Sequence, residues 1–268
     1  MPTSTTQVRA SAAPLLRRSG PTAIVRARGP WRLLPAPADL ARRYDAAASR
    51  WHAHMRYLGY PRAYADLFAH LRAEGWLSRL DRTTPVLECG VGTAVLGAAL
   101  AHAVPAVRRI AGIDISPGML TRAAASLRTA GVAADLCRAD ARQLPFPDAS
   151  FDLVVSAHML EHLDEPEVAL REMARVLRPG APLVVVATRG GLADGMIRLK
   201  WRHVPLPRWD LVRRFELAGF RYVRTVPIGM PSRPAYWLGR AHLAVKGGDS
   251  LACPRRWSDA EGDSDETL

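Results

Sequence analysis

The sequence predicts an α/β fold, a doubly wound sheet of seven mostly parallel strands with an antiparallel edge hairpin and cap helices before it. Three observations predict this class. Short apolar segments alternate with amphipathic ones from about residue 85 onward, as in repeated strand–helix units. The segment 183–187 is wholly apolar, which is typical of a central strand covered on both faces. A glycine-rich turn follows the first predicted strand, where such sheets bind ligands.

The composition indicates a globular chain. Its 268 residues can bury a full core, and 49% hydrophobic with 23% charged residues is an ordinary balance. No apolar run reaches the roughly 18 residues that a membrane span requires. The three cysteines are widely spaced, which predicts neither a disulfide framework nor a metal site and favours a reducing cytoplasm.

The formal charge of +12 is unevenly distributed. Residues 1–38 carry +6 and residues 248–268 carry −4, so residues 39–247 carry +10. Such a surface could attract nucleic acid, anionic lipid or an acidic small molecule. The plainer interpretation is a composition bias toward arginine, because lysine occurs only at Lys200 and Lys246.

The two ends of the chain are predicted to be disordered. Residues 1–38 form a basic arm rich in Ser, Thr, Pro and Arg, and residues 248–268 form an acidic tail. The arm also has the composition of an organelle transit peptide. A plain flexible arm is favoured, since the arginine bias continues through the whole chain.

Two cap helices are predicted over residues 39–81. Tyr44, Trp51, Met55 and Leu58 lie on one helical face, and a second amphipathic helix follows the break at Gly59. Helices in this position either roof the ligand site, cover the edge of the sheet or simply pack on the core. Tyr44 is the aromatic residue that we expect at a bound substrate.

The main domain is predicted over residues 82–247. Its strands are Pro85–Cys89, Arg109–Asp114, Ala134–Arg138, Phe151–Ser156, Leu183–Ala187, Tyr222–Val226 and His242–Val245. Its helices are Val95–Ala103, Met119–Thr129, Glu167–Leu177 and Trp209–Ala218. The regular alternation predicts right-handed crossovers between parallel strands, and the two late strands can pair as an antiparallel edge.

The glycine turn favours a ligand with positive charge. Gly90 and Gly92 allow the backbone to approach a ligand closely, and the following helix offers unpaired N–H groups. A dinucleotide fingerprint requires Gly or Ala at the place where Val95 stands. Glu88, two residues before the first glycine, would repel a pyrophosphate and attract a cation.

Three acids are predicted at the carboxyl ends of neighbouring strands, where ligands bind in such sheets. They are Glu88, Asp114 and Asp140. Asp114 lies 22 residues after Gly92, the usual place of a carboxylate that binds ribose hydroxyls. Asp140 can accept a hydrogen bond from an adenine amine, and Met119 can lie on the base.

Five segments in order resemble the motifs of class I S-adenosylmethionine-dependent methyltransferases of the small-molecule type. The first is 88–94 (ECGVGTA), with alanine where the family has its third glycine. The others are 112–120 (GIDISPGML), 139–146 (ADARQLPF), 151–156 (FDLVVS) leading into 160–163 (LEHL), and 175–183 (RVLRPGAPL). The resemblance is good over residues 82–190 and weaker to about residue 246.

The resemblance implies a Rossmann-like fold, S-adenosylmethionine (SAM) as the cofactor and a small-molecule acceptor. Glu88 would hold the methionine amine or orient the loop, and Asp114 would bind the ribose. The remaining contacts implied are the backbone at Gly90 and Gly92, the adenine faces at Ile115 and Met119, the adenine edge at Asp140 and Ala141, and the methionine end at Ser156 and Ala157.

The segment 158–162 (HMLEH) is also the inverted zinc-protease signature. Its two histidines would share a helix face, with Glu161 as the base. No third ligand follows at a suggestive spacing, and Leu-Glu-His is common at this place in the methyltransferase family. No metal is therefore predicted.

His158 and His203 are the candidate bases, since a base is needed only for a protonated nucleophile. His203 lies in the loop 190–208, a region that often forms a wall of the acceptor pocket in the family. Arg198, Trp201 and Arg202 in this loop are candidate substrate contacts, and their charge indicates an anionic acceptor.

The preferred acceptor atom is oxygen or carbon of a small metabolite, and nitrogen and sulfur are the less favoured alternatives. The Asn-Pro-Pro-Tyr type of motif found in amide and adenine N-methyltransferases is missing after the fourth strand. An RNA or protein methyltransferase is the alternative that the basic surface supports, but no RNA-binding module is recognisable. A protein that keeps the cofactor fold for another role is the third interpretation.

Overall fold

The structure is a computed structural model, and it describes residues 37–188, 206–229 and 234–247. The helices are α1 (Pro37–Tyr57), α2 (Tyr60–Ala73), α3 (Val95–Ala103), α4 (Pro117–Thr129), α5 (Pro166–Val176), α6 (Arg208–Leu217) and α7 (Pro234–Leu238), with a 3₁₀ helix at Leu160–His162. The strands are β1 (Val86–Cys89), β2 (Arg109–Asp114), β3 (Ala133–Arg138), β4 (Leu153–Ala157), β5 (Pro182–Thr188), β6 (Phe220–Pro227) and β7 (Gly239–Lys246).

The strands form one seven-stranded sheet in the order β3-β2-β1-β4-β5-β7-β6. The pairs among β1 to β5 are parallel, whereas β7 pairs antiparallel with both β5 and β6. The predicted fold class is therefore confirmed, including the antiparallel edge. The strand order reverses between β1 and β4, and the crevice beyond their carboxyl ends is where such sheets bind ligands.

Side chains of the central strands alternate between two apolar layers. Val155, Val184 and Val186 pack on the side of α1 to α4, while Val154 and Val185 pack on the side of α5 and α6. All five are almost completely buried. Burying each such side chain contributes about 1.5–3 kcal/mol relative to leaving it exposed. Both faces of the sheet must therefore be covered, as the wholly apolar segment 183–187 predicts.

Helix α3 begins directly after the glycine turn, and α4 begins shortly after the end of β2. Ser116 caps α4, since its side chain accepts the N–H of Met119 at 3.1 Å, and Pro117 occupies the first turn. Helix α3 begins after Ala94, which lies in the left-handed region with φ of 58° and gives no side-chain cap. The family's third glycine would adopt this conformation without strain, so the substitution to alanine carries a conformational cost.

Helix α1 is attached to the main domain by Asp45. One carboxylate oxygen of Asp45 accepts the hydroxyl of Ser116 at 2.5 Å and the N–H of Gly118 at 2.8 Å. Asp45 thus lies at the N-terminus of α4, where unpaired N–H groups and the helix dipole favour a negative charge. A cap helix is held in place by the start of a helix of the main domain.

The structure adds elements that the sequence analysis did not predict. Helix α7 is one of them, and the first cap helix begins at Pro37, before the predicted domain boundary. The predicted arm, apart from residues 37 and 38, and the predicted acidic tail lie outside the described residues. None of the helices in the described ranges is long and apolar enough to cross a membrane.

We expect Asp45→Ala to lower the free energy of unfolding by about 1 kcal/mol, the usual value of a helix cap. Urea titration measures this change. Asp45→Asn is the matched control, because it retains an oxygen that can accept the two hydrogen bonds and should lose less. Equal urea midpoints for Asp45→Ala and the wild type would show that this carboxylate does not anchor α1.

Candidate active site

A large cleft lies at the carboxyl ends of β1, β2 and β4, at the point where the strand order reverses. It contains about 1080 Å³ of empty space, part of which is open to solvent. Residues of the glycine turn, of the ends of these strands and of α1 line the cleft.

The glycine turn forms the floor of the cleft. Gly90 has φ of 70°, and a Cβ at this position would lie 2.6 Å from Cγ of Met159, so both conformation and space exclude a side chain. Gly92 also has positive φ, at 50°. The N–H of Val91 donates to the carbonyl of Ile113 at 2.8 Å and ties the turn to β2. The two glycines are thus required for the turn itself as well as for ligand approach.

Asp114 ends β2 inside the cleft. Its Oδ2 accepts the N–H of Gly92 and its Oδ1 accepts the N–H of Ser116, both at 2.9 Å. Burial raises the pKa of Asp114, although these two hydrogen bonds oppose the change. Each oxygen retains a further lone pair for a ligand hydroxyl.

Glu88 lies deeper, in the middle of the sheet. It is 2% exposed, and its Oε2 is buried with no hydrogen-bond partner among the described residues. Burial raises the pKa of Glu88 well above its usual range; the N–H of Gly97 opposes this change and the negative charge of Asp114 adds to it. Gly97 leaves room for the carboxylate, since a Cβ there would lie 2.4 Å from Oε2.

Asp140 follows β3 and is held by Arg142. The guanidinium donates to both carboxylate oxygens, and the closest contact is 2.7 Å from Nη2 to Oδ2. Burial works to raise the pKa of Asp140, but the hydrogen bonds from Arg142 outweigh it and lower the pKa. Asp140 remains a hydrogen-bond acceptor at this end of the cleft, with Arg142 as its neighbour.

Helix α1 roofs the cleft. Tyr44, Trp51 and Met55 line it from above, and the hydroxyl of Tyr44 is hydrogen-bonded to Nε2 of His162 at 2.8 Å. The rings of Tyr44 and Trp51 meet edge to face at 5.6 Å. Of the roles considered for the cap helices, the structure shows the roof for α1, while Tyr64 of α2 also lines the cleft.

The segment with the zinc-protease signature is not one helix. His158 directly follows β4 and has φ of 51°, and only Leu160–His162 forms a short 3₁₀ helix. The two histidines therefore do not share a helix face, which the zinc interpretation requires. Within residues 37–188, 206–229 and 234–247, no three His, Cys, Asp or Glu side chains are grouped as metal ligands.

The structure brings most of the predicted site residues together. The cleft is lined by His158, Tyr44 and nine of the predicted cofactor residues, which are Glu88, Gly90, Gly92, Asp114, Ile115, Met119, Asp140, Ala141 and Ala157. Ser156 does not line it: this residue is fully buried, and its hydroxyl donates to the carbonyl of Cys89 at 2.9 Å. His203, Arg198, Trp201 and Arg202 lie outside the described residues.

Other lining residues were missed as ligand contacts. Thr93, Arg142 and His162 are among them. Arg142 follows Asp140 by two residues, and His162 belongs to a segment interpreted as a family motif and as a possible zinc signature, but not as a ligand contact. Both residues stand close to predicted site residues in the sequence. Their closeness to the ligand cleft becomes apparent only when the strand ends are known to meet there.

Four buried polar atoms of the cleft residues have no hydrogen-bond partner in the described part of the chain. They are Oε2 of Glu88, Oγ1 of Thr93, the hydroxyl of Tyr64 and Nε2 of His158. A buried polar group without a partner costs roughly 1–3 kcal/mol. Such a concentration in one cleft indicates a polar ligand that supplies the missing partners.

The comparison with protein families identifies the domain. Residues 87–185 match the family model described as "Methyltransferase domain". These residues form a methyltransferase domain. The matched residues run from β1 into β5 and so include the glycine turn and the three acids of the cleft.

The methyltransferase domain is similar to curated relatives over part of their length. A phosphatidylethanolamine N-methyltransferase of Cereibacter sphaeroides is 41% identical over 103 residues, which are 38% of this chain and 49% of the relative. A ubiquinone/menaquinone biosynthesis C-methyltransferase of Salmonella arizonae is 36% identical over 150 residues, 54% of this chain and 60% of the relative. The chain thus matches between about half and three fifths of these relatives.

A solved structure supports the fold. The magnesium protoporphyrin IX methyltransferase of Synechocystis, with bound SAH, superposes with a TM-score of 0.63 at 18% identity. The superposition covers 79% of this chain and 100% of that chain. The superposition therefore shows that the two proteins share a fold.

The cleft of the methyltransferase domain fits S-adenosylmethionine. This ligand carries a cationic amine, two ribose hydroxyls and an adenine. Glu88 offers a buried oxygen without a partner, and Asp114 offers free lone pairs. Apolar contacts at Ile115 and Met119 suit a flat base. The cleft thus combines carboxylates with apolar surface, which is the chemistry that this ligand requires.

We expect binding of S-adenosylhomocysteine, which carries the same amine, to release a proton. Burial raises the pKa of Glu88, so the free protein holds a proton there at pH values below that raised pKa. A cationic amine then favours the ionised form and displaces the proton. Calorimetry in buffers of different ionisation enthalpy measures the release.

Glu88→Gln should abolish this proton release and weaken binding. Glu74→Gln, which alters an ion pair with Arg224 away from the cleft, is the matched control. Proton release that persists in Glu88→Gln would contradict the assignment of Glu88 as the group that holds the proton.

The raised pKa of Glu88 also affects the stability of the protein without ligand. The folded state holds this proton more tightly than the unfolded state, so Glu88 lowers the free energy of unfolding as pH rises from its unfolded pKa through its folded pKa.

Proposed function

We propose that the protein is a SAM-dependent methyltransferase that transfers a methyl group to oxygen or carbon of a small metabolite. One observation carries this proposal. Glu88, Asp114 and Asp140 line a single roofed cleft where the strand order reverses, within a methyltransferase domain. The cofactor supplies a methyl group on a cationic sulfonium, and every other task falls to the chain.

Each proposed cofactor contact follows from the position of a residue. Asp114 accepts the ribose hydroxyls, while Ile115 and Met119 lie against the adenine. Asp140 and the N–H of Ala141 recognise the adenine edge, since both residues line the same end of the cleft. Glu88 holds the amine of the methionine part. The backbone of Ala157 contacts that end, and Ser156 supports it through its bond to Cys89.

The protein promotes the reaction mainly by alignment and exclusion of water. Methyl transfer requires the acceptor atom and the methyl carbon to be in line, and holding two reactants in place can supply a large part of the barrier reduction. The roof formed by Tyr44, Trp51 and Met55 keeps the cleft apolar on one side. Removal of water strengthens the electrostatic contacts within the cleft.

A small acceptor is supported by the shape of the cleft. Helix α1 covers it, and Asp45 anchors this helix to α4. A roof over the cleft favours a small acceptor over a nucleic-acid strand or a protein loop. The relatives act on different atoms, as their names state N- and C-methylation, so they support a small acceptor without deciding which atom it presents.

An anionic acceptor and a cytoplasmic location are further proposals. The first is supported by the density of Arg198, Lys200 and Arg202 between β5 and α6, and His203 is the second candidate base there. Alanine at these three positions should raise the acceptor KM, and an unchanged KM would exclude their role in acceptor binding.

The proposal of a cytoplasmic location is supported by the free thiols of Cys89 and Cys137, since structural disulfides are rare in the cytosol.

Asp114→Asn tests the proposed function. We expect it to weaken binding of S-adenosylhomocysteine by roughly 10- to 100-fold, because a hydrogen bond to a charged group contributes about 1.5–3 kcal/mol. Calorimetry gives the affinity, and methyl-labelled SAM added to a metabolite extract gives the turnover. Asp135→Asn, in an exposed pair with Arg109, is the control. If Asp114→Asn bound and methylated like the wild type, the cofactor would not occupy this cleft as proposed.

A further inference from the structure

His158 is held in an unusual conformation at the end of β4. Its φ of 51° lies in the left-handed region, which costs roughly 1–2 kcal/mol for a residue other than glycine. The backbone N–H of His158 donates to the carbonyl of Val186 at 2.8 Å and fixes the residue against β5. Strained residues that the surrounding structure holds in place are concentrated at functional sites.

One side of the ring faces two oxygen atoms. Nδ1 of His158 lies 3.4 Å from Oγ1 of Thr188 and 3.6 Å from Oε1 of Glu161. The same Oε1 accepts the N–H of Thr188 at 2.7 Å and its hydroxyl at 3.0 Å. Glu161 is 2% exposed, so the carboxylate is enclosed with its three partners.

The two hydrogen bonds from Thr188 favour the ionised form of Glu161. Burial works to raise its pKa, but the His158 ring and the N–H of Thr188 outweigh burial and lower the pKa to about 2. A carboxylate offers only lone pairs. The hydroxyl proton of Thr188 points to Glu161, so its oxygen also offers lone pairs to the ring. Both neighbours of Nδ1 are therefore acceptors, and Nδ1 must carry the ring proton.

The other ring nitrogen is then the basic one. Nε2 of His158 is buried without a hydrogen-bond partner in the described part of the chain, and His158 lines the cleft. The Tyr60 ring lies 5.2 Å away, edge to face. The lone pair of a neutral ring is thus retained beside the cleft.

The tyrosines of α2 and the histidine of β7 near this ring are uncharged at neutral pH. Tyr60 and Tyr64 of α2 keep neutral hydroxyls, since burial raises the pKa of both. On β7, a Cβ at Gly239 would lie 3.5 Å from Cε1 of His158. His242 on the same strand is neutral at pH 7, because burial lowers its pKa to about 4. Glu161 is the charged group that faces Nδ1 of the ring.

We propose that His158 is the general base that removes the proton of a hydroxylic acceptor, such as a phenol or an enol, and that Glu161 and Thr188 are its positioning residues. The inference rests on the proposed function and narrows its substrate class. The acceptor O–H proton moves to Nε2, and an electron pair of that oxygen, or of the carbon conjugated to it, forms the bond to the methyl carbon. The C–S bond breaks with its electron pair left on sulfur. The positive charge of the sulfonium is thereby replaced by an imidazolium facing Glu161.

This arrangement distinguishes the acceptor classes. A neutral amine has a free electron pair and requires no base before it attacks. A phenol or enol is protonated at neutral pH, and a positioned base contributes about 10²- to 10⁴-fold to such reactions. A buried carboxylate that fixes the tautomer of a histidine is useful only in the second case.

The tautomer of His158 tests the inference without any acceptor. Long-range ¹H–¹⁵N spectra of the ring-labelled full chain distinguish Nδ1–H from Nε2–H at a pH where the ring is neutral, and His158→Gln assigns its signals among the eight histidines. We expect Nδ1–H in the wild type. Glu161→Gln should shift the ring toward Nε2–H, because its amide can donate to Nδ1. Glu167→Gln, which pairs with Arg214, should change nothing. Nε2–H in the wild type would overturn the inference.

Turnover provides the second readout, with methyl-labelled SAM and a metabolite extract. Glu161→Gln and Thr188→Val should lower kcat by 10²- to 10⁴-fold with little change in KM, whereas Thr188→Ser keeps the hydroxyl and should remain within threefold. S-adenosylhomocysteine affinity should equal the wild type in each variant. Variants that methylate normally would refute the base while leaving the methyltransferase intact. A wild type that fails to bind S-adenosylhomocysteine would instead refute the proposed function.

Discussion

The two hydrogen bonds accepted by Asp114 connect the pieces of backbone that border the cleft. One comes from Gly92 in the glycine turn and the other from Ser116 at the start of α4. Ser116 continues the connection to Asp45 of α1. A single chain of hydrogen bonds therefore runs from the floor of the cleft through the end of β2 to its roof. The position of each part depends on a carboxylate that also faces the proposed ribose.

Much of the fold could be predicted because it depends on local patterns. The apolar runs predict the bounds of the strands to within a few residues. The wholly apolar segment 183–187 indicates a sheet that is covered on both faces. Three acids at strand ends predicted one acidic cleft, since parallel strands end at the same edge. Helix α7 was not predicted, because five residues give too short a pattern.

The contacts within the site were less predictable, since they depend on side-chain direction. Ser156 points into the sheet and not into the cleft, because residues on a strand alternate and Ala157 takes the exposed place. Arg142 holds Asp140, a contact that spacing alone cannot indicate. The segment 158–162 looked like a helix that could bind zinc, but His158 adopts a left-handed conformation that ends the strand instead.

Gly97 has a consequence for how this fold balances stability against activity. A glycine in a helix is less favourable than alanine by about 0.5–1 kcal/mol, and here it makes space for a carboxylate whose Oε2 is buried without a hydrogen-bond partner among the described residues. Glu88 and Gly97 thus both lower the stability of the protein without its ligand. Selection for stability alone would fill this space with an aliphatic pair at Glu88 and Gly97. A variant stabilised by such an aliphatic pair would lose the carboxylate that attracts the cationic ligand.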